Sequence, residues 1–206
     1  MAEHYFSKNP GSKSTPKQWS FTLRGKDLNL STDQGVFSKN EVDFGSRTLI
    51  ESFEEPSVDG EFLDLGCGYG PIGISLAKDF PNRNIVMVDV NERAIELSEL
   101  NAEQNGATNV EILQSDRFQA LEGRSFASIL TNPPIRAGKK TVHDMLEESF
   151  HHLLPSGELW VVMQKKQGAP SAQKLLQDLF GHVDVVKRNK GYYILKAKKF
   201  DSVFSV

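Results

Sequence analysis

The sequence predicts a doubly wound α/β fold: a seven-stranded, mostly parallel sheet with an antiparallel last strand, preceded by a short N-terminal hairpin. Three observations predict it. From Phe62 onward short apolar runs alternate with amphipathic segments, the pattern of strands and their crossover helices. Glycines crowd the first strand-to-helix turn, Gly66-Cys67-Gly68-Tyr69-Gly70-Pro71. Acids recur where strands end, at Asp89 and Asp116, the side of such a sheet on which ligands bind.

The elements follow in order. Residues 1–17 are polar, with Pro10, Gly11 and Pro16 among scattered lysines, and are expected to form a flexible arm; residues 18–206 form a single domain. Strand-like runs from Trp19 to Leu30 flank Arg24-Gly25-Lys26-Asp27, which predicts a hairpin. Ser38 and Glu41 have capping-box spacing, predicting a helix that starts close to Phe37 and carries Val42, Leu49, Ile50 and Phe53 on one face. Phe37 itself is read either as a core or staple residue or as a cover over one side of a ligand. Phe62 to Leu65 make the first buried strand, and Pro71 suits the first turn of the next helix, where its missing N–H costs nothing.

Ile85 to Val88 form a second buried strand ending at Asp89, and Asn91 is an N-cap for a helix that Gly106 ends. Val110 to Leu113 is the third strand, followed by Ser115-Asp116; the fourth, Phe126 to Leu130, delivers Thr131-Asn132-Pro133-Pro134-Ile135. Val142, Met145, Leu146, Ser149, Phe150, Leu153 and Leu154 share one helical stripe, which Pro155 stops. Leu159 to Met163 reads as a strand, Ala172 to Phe180 as a helix, and Val183 to Val186 with Tyr192 to Leu195 as a closing pair.

At 206 residues, 38% hydrophobic and 25% charged, the chain has the composition of one soluble globular domain. No apolar run reaches membrane-spanning length and the N-terminus has no hydrophobic signal segment, so a cytoplasmic protein without membrane contact is expected, assumed monomeric. Cys67 is the single cysteine, which excludes an internal disulfide and a thiolate metal cluster. Its place between two glycines suits packing rather than nucleophilic attack. His143, His151 and His152 make no metal-ligand arrangement, and no metal is expected. The net charge of −3 excludes a uniformly basic surface but leaves local basic patches.

Two chemistries use a turn of this kind. Gly68-Tyr69-Gly70-Pro71-Ile72-Gly73 satisfies G-x-G-x-x-G, with Asp89 at the distance of a ribose-binding acid, which admits a nicotinamide-dependent oxidoreductase. Asp64, two residues before the first glycine, suits a cationic ligand better than a pyrophosphate. Asp64-Leu65-Gly66-Cys67-Gly68-Tyr69-Gly70 resembles motif I of the class I S-adenosylmethionine-dependent methyltransferases, whose fold is Rossmann-like. That resemblance implies S-adenosylmethionine as cofactor. Its methionine end would be held by Asp64 and by the backbone of Gly66, Cys67, Gly68 and Gly70. The ribose would meet Asp89, with Val90 and Asn91 beside it, the adenine Asp116, and Phe37 and Asn132 would also touch the cofactor.

An exocyclic amine is a poor nucleophile because its lone pair is delocalised. Two acceptors, the Asn132 side-chain oxygen and the Pro133 carbonyl, can take its two hydrogens and leave the lone pair aimed outward. Pro133 and Pro134 hold the backbone in one direction because their φ is fixed. Alone, Asn-Pro-Pro is a rigid turn; after the fourth strand of a sheet whose first strand carries the glycine turn, it reads as catalytic. Asn132-Pro133-Pro134-Ile135 resembles motif IV of amino-methylating class I enzymes, with Ile135 where an aromatic residue is common.

Together with Gly35-Val36-Phe37-Ser38 and Asp43-Phe44-Gly45-Ser46, these motifs resemble the "methyltransferase small" family over about residues 19–200. The resemblance includes small-subunit ribosomal RNA guanine-N2 methyltransferases and implies guanine N2 of 16S ribosomal RNA as acceptor, in naked RNA or in the small ribosomal subunit. Adenine N6 or a protein glutamine are alternative acceptors, and a non-catalytic RNA-binding module is the alternative outside enzymes. Three basic clusters favour RNA: Arg136, Lys139 and Lys140; Lys165 and Lys166; and Lys187, Arg188 and Lys190. A closing antiparallel pair would bring all three to one end of the sheet.

Overall fold

The computed structural model describes residues 17–33 and 42–200. Strands β1 (Lys17–Leu23) and β2 (Lys26–Thr32) form their own antiparallel sheet. Arg24 and Gly25 turn the chain with φ of 50° and 70°, as a two-residue hairpin of this hand requires. The left-handed Arg24 is held by its side chain, which donates to Asp79 at 2.6 Å and to the Ile50 and Phe53 carbonyls at 2.8 Å. The hairpin is thereby tied to the main body.

That body is a seven-stranded sheet of β3 (Phe62–Leu65), β4 (Ile85–Asp89), β5 (Val110–Gln114), β6 (Phe126–Thr131), β7 (Leu153–Gln164), β8 (Asp184–Asn189) and β9 (Tyr192–Lys198). Their order is β5-β4-β3-β6-β7-β9-β8. Pairing is parallel from β5 to β7, and β9 is antiparallel to β7 and β8 on either side of it. The chain winds outward from β3 to β5 and then returns to the other side of β3 as β6. The crevice at such a reversal lies beyond the C-terminal ends of β3 and β6.

Two cores sandwich the sheet because successive strand residues face opposite ways. Phe62, Met87, Leu130, Trp160 and Val162 face α1 (Phe44–Ser52), α2 (Pro71–Asp79), α3 (Glu92–Gln104) and the hairpin. Leu63, Val86, Ile129, Val161 and Met163 face α4 (Lys139–His151) and α5 (Ala169–Phe180). Under α1, Phe53 meets Phe62, Phe80 and Trp160 edge-on at centroid separations of 5.3–5.8 Å. Trp160 is fully buried.

Several boundaries differ from the sequence reading, and three of the differences bear on the architecture. The helix carrying Leu49 and Ile50 begins at Phe44 instead of near Phe37, because Asp43 caps it by accepting the Ser46 N–H at 3.0 Å. Ser38 and Glu41 lie outside the described residues, as do Phe37, Gly35-Val36-Phe37-Ser38 and residues 1–16; the arm's last residue, Lys17, starts β1. Leu153 and Leu154 continue the apolar stripe of α4 in sequence but belong to β7, where they face opposite cores. Helix α5 begins at Ala169, three residues early, with Pro170 in its first turn.

Candidate active site

The glycine turn is built by backbone bonds. The N–H groups of Gly66 and Cys67 both donate to the Val88 carbonyl at 2.9 Å, pulling the end of β3 across β4. Gly66, Gly68 and Gly70 have φ of 76°, 58° and 96°, values an L side chain resists. Helix α3 braces the turn from behind: Ser98 donates to the Gly68 carbonyl and Asn101 to the Tyr69 carbonyl, each at 2.8 Å. Both side chains are fully buried.

Two acids fix the turn from below. Asp64 Oδ2 accepts the Gly73 N–H at 2.8 Å, pinning the first turn of α2, and its Oδ1 is buried without a partner. Burial, with Asp89 nearby, pushes the Asp64 carboxyl up to about 7. Asp89 accepts the Gly68 N–H with one oxygen and the Asn91 N–H with the other, both at 2.9 Å. Burial raises its pKa too, and these N–H donors oppose the rise. Asn91 caps α3 through the Arg93 and Ala94 N–H groups. The Cys67 thiol is buried and pushed well up by that burial and by both acids, so it stays protonated.

One cleft opens at the C-terminal ends of the strands. It is lined by Gly66, Val88, Asp89 and Val90, by Ser115, Asp116 and Arg117 after β5, by Asn132, Pro134 and Ala137 after β6, and by Thr141 and Met145 of α4. Of the residues singled out in the sequence, it brings together Gly66, Asp89, Val90, Asp116, Asn132 and Pro134. Asp64, Cys67, Gly68, Gly70, Asn91 and Pro133 are buried around it, and Ile135 opens a short 3-10 turn, Ile135–Ala137, packed toward α4 and α5. Residues 27–196 match the model of the methyltransferase small domain.

The chain belongs to the methyltransferase small family. It is 64% identical over 200 residues to the uncharacterized protein YbxB of Bacillus subtilis (strain 168), covering 97% of this chain and 100% of that protein. It is 35% identical over 176 residues to ribosomal RNA small subunit methyltransferase C of Hamiltonella defensa subsp. Acyrthosiphon pisum, covering 84% of this chain and 51% of that one. Its structure matches that of the Thermus thermophilus 16S rRNA N2 G1207 methyltransferase RsmC, solved with AdoMet and guanosine. The TM-score is 0.81 at 28% identity, over 92% of this chain and 52% of that one. This chain thus spans about half the length of those two methyltransferases. Membership of this family decides between the two chemistries the glycine turn left open, against the oxidoreductase.

The residues fit the family's sulfonium cofactor. A Cβ built on Gly66 meets nothing within 4 Å, so the space beside that glycine is open to a ligand. The groups that bound the cleft at Asp89 and Asp116 are acids, with Asp64 buried behind, an acceptor set for hydroxyls, amines and positive charge. Arg117 is a lining residue that the sequence reading passed over. It has φ 51° and bridges Asp116, Asp144 and Glu148 at 3.5, 3.8 and 2.7 Å. Its only sequence signal is its place directly after a strand-end acid.

Each basic cluster lies at the sheet end that carries the cleft. Gln164, the end of β7, pairs with Tyr192, and the Lys165 N–H donates to the Gly191 carbonyl at 2.8 Å, so Lys165 and Lys166 adjoin the β8–β9 turn. Arg136, Lys139 and Lys140 follow the neighbouring β6. They reach both sides of the sheet: Lys139 and Lys140 begin α4, whereas Lys190 lies 4.9 Å from the centroid of Phe44 on α1. Arg188 stacks over Tyr193 and Lys140 pairs with Asp144 at 2.7 Å. Lys187 is exposed. Arg47 of α1, absent from the sequence reading, joins this rim, 5.4 Å from the Phe44 centroid. Among the described residues no helix is long and apolar enough to cross a membrane, and no group of His, Cys, Asp and Glu is arranged to hold a metal ion.

Proposed function

We propose that this protein transfers a methyl group from S-adenosylmethionine to an exocyclic amine of ribosomal RNA, with guanine N2 of the small-subunit RNA as the acceptor. The observation that carries the reading is that Asn132 lines the same cleft as Gly66, Asp89 and Asp116. An acceptor for amine hydrogens and a cradle for an adenosine-bearing cation then share one space. The likeness of nearly the whole chain to RsmC supports the choice of RNA and of guanine, and the basic rim supports RNA.

When bound, S-adenosylmethionine supplies a methyl group already activated by the sulfonium charge. Asp89 takes the ribose hydroxyls on the lone pairs its backbone donors leave free, and Asp116 takes the adenine amine. The backbone of Gly66, Cys67, Gly68 and Gly70, with Asp64 behind it, faces the methionine end, and Val90 and Asn91 shape the ribose edge. Asn132 Oδ1 and the Pro133 carbonyl accept the two amine hydrogens and leave the nitrogen lone pair free to attack. The bound cofactor would supply the methyl carbon to that lone pair, its sulfur leaving as a neutral thioether with the bonding electron pair, and the methylated amine would release one proton to solvent. Positioning does most of the work. Pro134 and Ile135 give the base an apolar contact, and the guanine must be unpaired or flipped out to reach them. Arg136, Lys139, Lys140, Lys165, Lys166, Lys187, Arg188 and Lys190 hold the RNA backbone.

The test is incubation with labelled S-adenosylmethionine and ribosomal RNA, naked and as small subunits, followed by digestion to nucleosides. Labelled N2-methylguanosine is expected. N6-methyladenosine would keep the reaction and change the base, and label in a protein glutamine would overturn the RNA reading. Cofactor binding with no transfer to any acceptor would leave an RNA-binding module.

A further inference from the structure

Asn132 is held by the helix on the far side of its own strand end. Its Nδ2 donates to Ser46 Oγ at 2.9 Å and to Asp43 Oδ1 at 3.2 Å. The same Asp43 oxygen accepts the Ser46 N–H at 3.0 Å and so caps α1. Both residues that bind the amide therefore belong to the first turn of one helix, and Ser46 is buried. A primary amide has two N–H hydrogens, and here each has an acceptor.

This arrangement decides which end of the amide meets the substrate. Rotated by half a turn, Asn132 would set its carbonyl oxygen against the Asp43 carboxylate, two acceptors with no proton between them. Ser46 could donate in that state, but Asp43 could not. The carboxylate thus excludes the flipped amide, and Oδ1, for which no described residue is a donor, is left toward the cleft that Asn132 lines. A group entering there must bring N–H hydrogens; a bare carbonyl or a ring nitrogen acceptor would face oxygen with oxygen or nitrogen lone pairs.

We propose that Asp43 and Ser46 are positioning residues for the methyl-transfer step, locking the Asn132 amide with its oxygen toward the acceptor amine. The inference rests on the amine-methyltransferase reading of the cleft. The cap of α1 and the catalytic amide then share one carboxylate oxygen, so the placement of the first helix of the domain is tied to the geometry of transfer.

Asp43→Ser separates this role from simple capping. Serine caps helices as well as aspartate does, and its hydroxyl can accept the Ser46 N–H while donating its own proton to a flipped Asn132, so the lock is lost and the cap kept. Expected for Asp43→Ser are unchanged melting temperature and S-adenosylmethionine affinity, KM for RNA within about twofold, and kcat lowered about tenfold or more, in line with misplacement of a reacting group. Ser46→Ala, which leaves the Asp43 carboxylate in place and keeps a good helix former, should lower kcat less. Wild-type kcat in Asp43→Ser would overturn the proposal.

A second measurement does not need turnover. In an NMR spectrum of the cofactor-free protein, the two Asn132 Nδ2 protons, assigned by their loss in Asn132→Ala, should exchange slowly with water, and markedly faster in Ser46→Ala. Equal exchange rates in the two proteins would overturn the lock. If the wild type methylates no RNA while the exchange difference is found, the acceptor reading fails and the lock stands.

Discussion

The guanidinium of Arg117 lies 2.7 Å from Glu148 and so joins the loop after β5 to the last turn of α4. The loop lines the cleft through Ser115, Asp116 and Arg117, and α4 follows the turn that carries Asn132. Because the two side chains are 31% and 37% exposed, the pair contributes little to stability, within about 1 kcal/mol. Its effect belongs to the ligand. Glu148→Gln should leave the melting temperature almost unchanged and raise the dissociation constant of S-adenosylmethionine about threefold or more by isothermal titration calorimetry. An unchanged constant would show that Arg117 keeps its place without Glu148.

Asp64 makes the cofactor-free protein sensitive to pH. Its carboxyl titrates near ~4 in an unfolded chain and at about 7 in the fold. Below the lower value both states hold the proton and the group contributes no dependence. Between the two values the folded state binds more protons than the unfolded one, so stability falls as pH rises, and the loss is complete above the upper value. Integrated over the window this is on the order of 4 kcal/mol. Denaturant melts should show lower stability at pH 8 than at pH 5, and Asp64→Asn should remove most of that difference. The same slope in Asp64→Asn would assign the dependence to another group.

Gly66→Ala separates folding from ligand binding. The left-handed φ of 76° costs an alanine roughly 1–2 kcal/mol, but its Cβ meets no protein atom within 4 Å. The variant should fold, with a slightly lower melting temperature. Its methyl group projects into the space beside Gly66, and S-adenosylmethionine affinity should fall at least about tenfold, an overpacking effect. Wild-type affinity would place the ligand away from the turn.

Neutralising Lys165, Lys166 and Arg188 to glutamine should weaken RNA binding without touching cofactor affinity. For a single-stranded target the slope of log affinity against log salt should drop by about 0.7 for each phosphate that the protein ceases to neutralise. Lys140→Gln should do less, since Lys140 is already paired with Asp144 at 2.7 Å. A salt slope equal to that of the wild type would remove β7 and β8 from the RNA surface.

Much of this protein is determined by short-range features of its sequence. Alternating apolar runs and helical stripes follow from side-chain periodicity, and they placed the strands and helices of a doubly wound sheet. The glycine turn needs residues that accept positive φ, and Asn91 needs only its own two downstream N–H groups to cap α3. Such signals are local, so the strand ends at Asp89, Asp116 and Asn132 were legible before any coordinates. Periodicity misled where it was blind to pairing partners: Leu153 and Leu154 extend a helical stripe, yet Leu153 pairs with Phe126 across the sheet and begins β7.

Tertiary structure alone decided the rest. That β9 inserts between β7 and β8, bringing Lys165 beside the Gly191 turn, is a pairing choice between segments distant in sequence. That Asp64 is wholly buried with one oxygen unpartnered depends on what packs over β3. The bonds from Asn132 to Asp43 and Ser46 join positions 89 and 86 residues apart. No spacing rule reaches across such a gap. A side-chain amide has two chemically opposite ends, and which one faces the cleft is set only when the fold brings a carboxylate to the other.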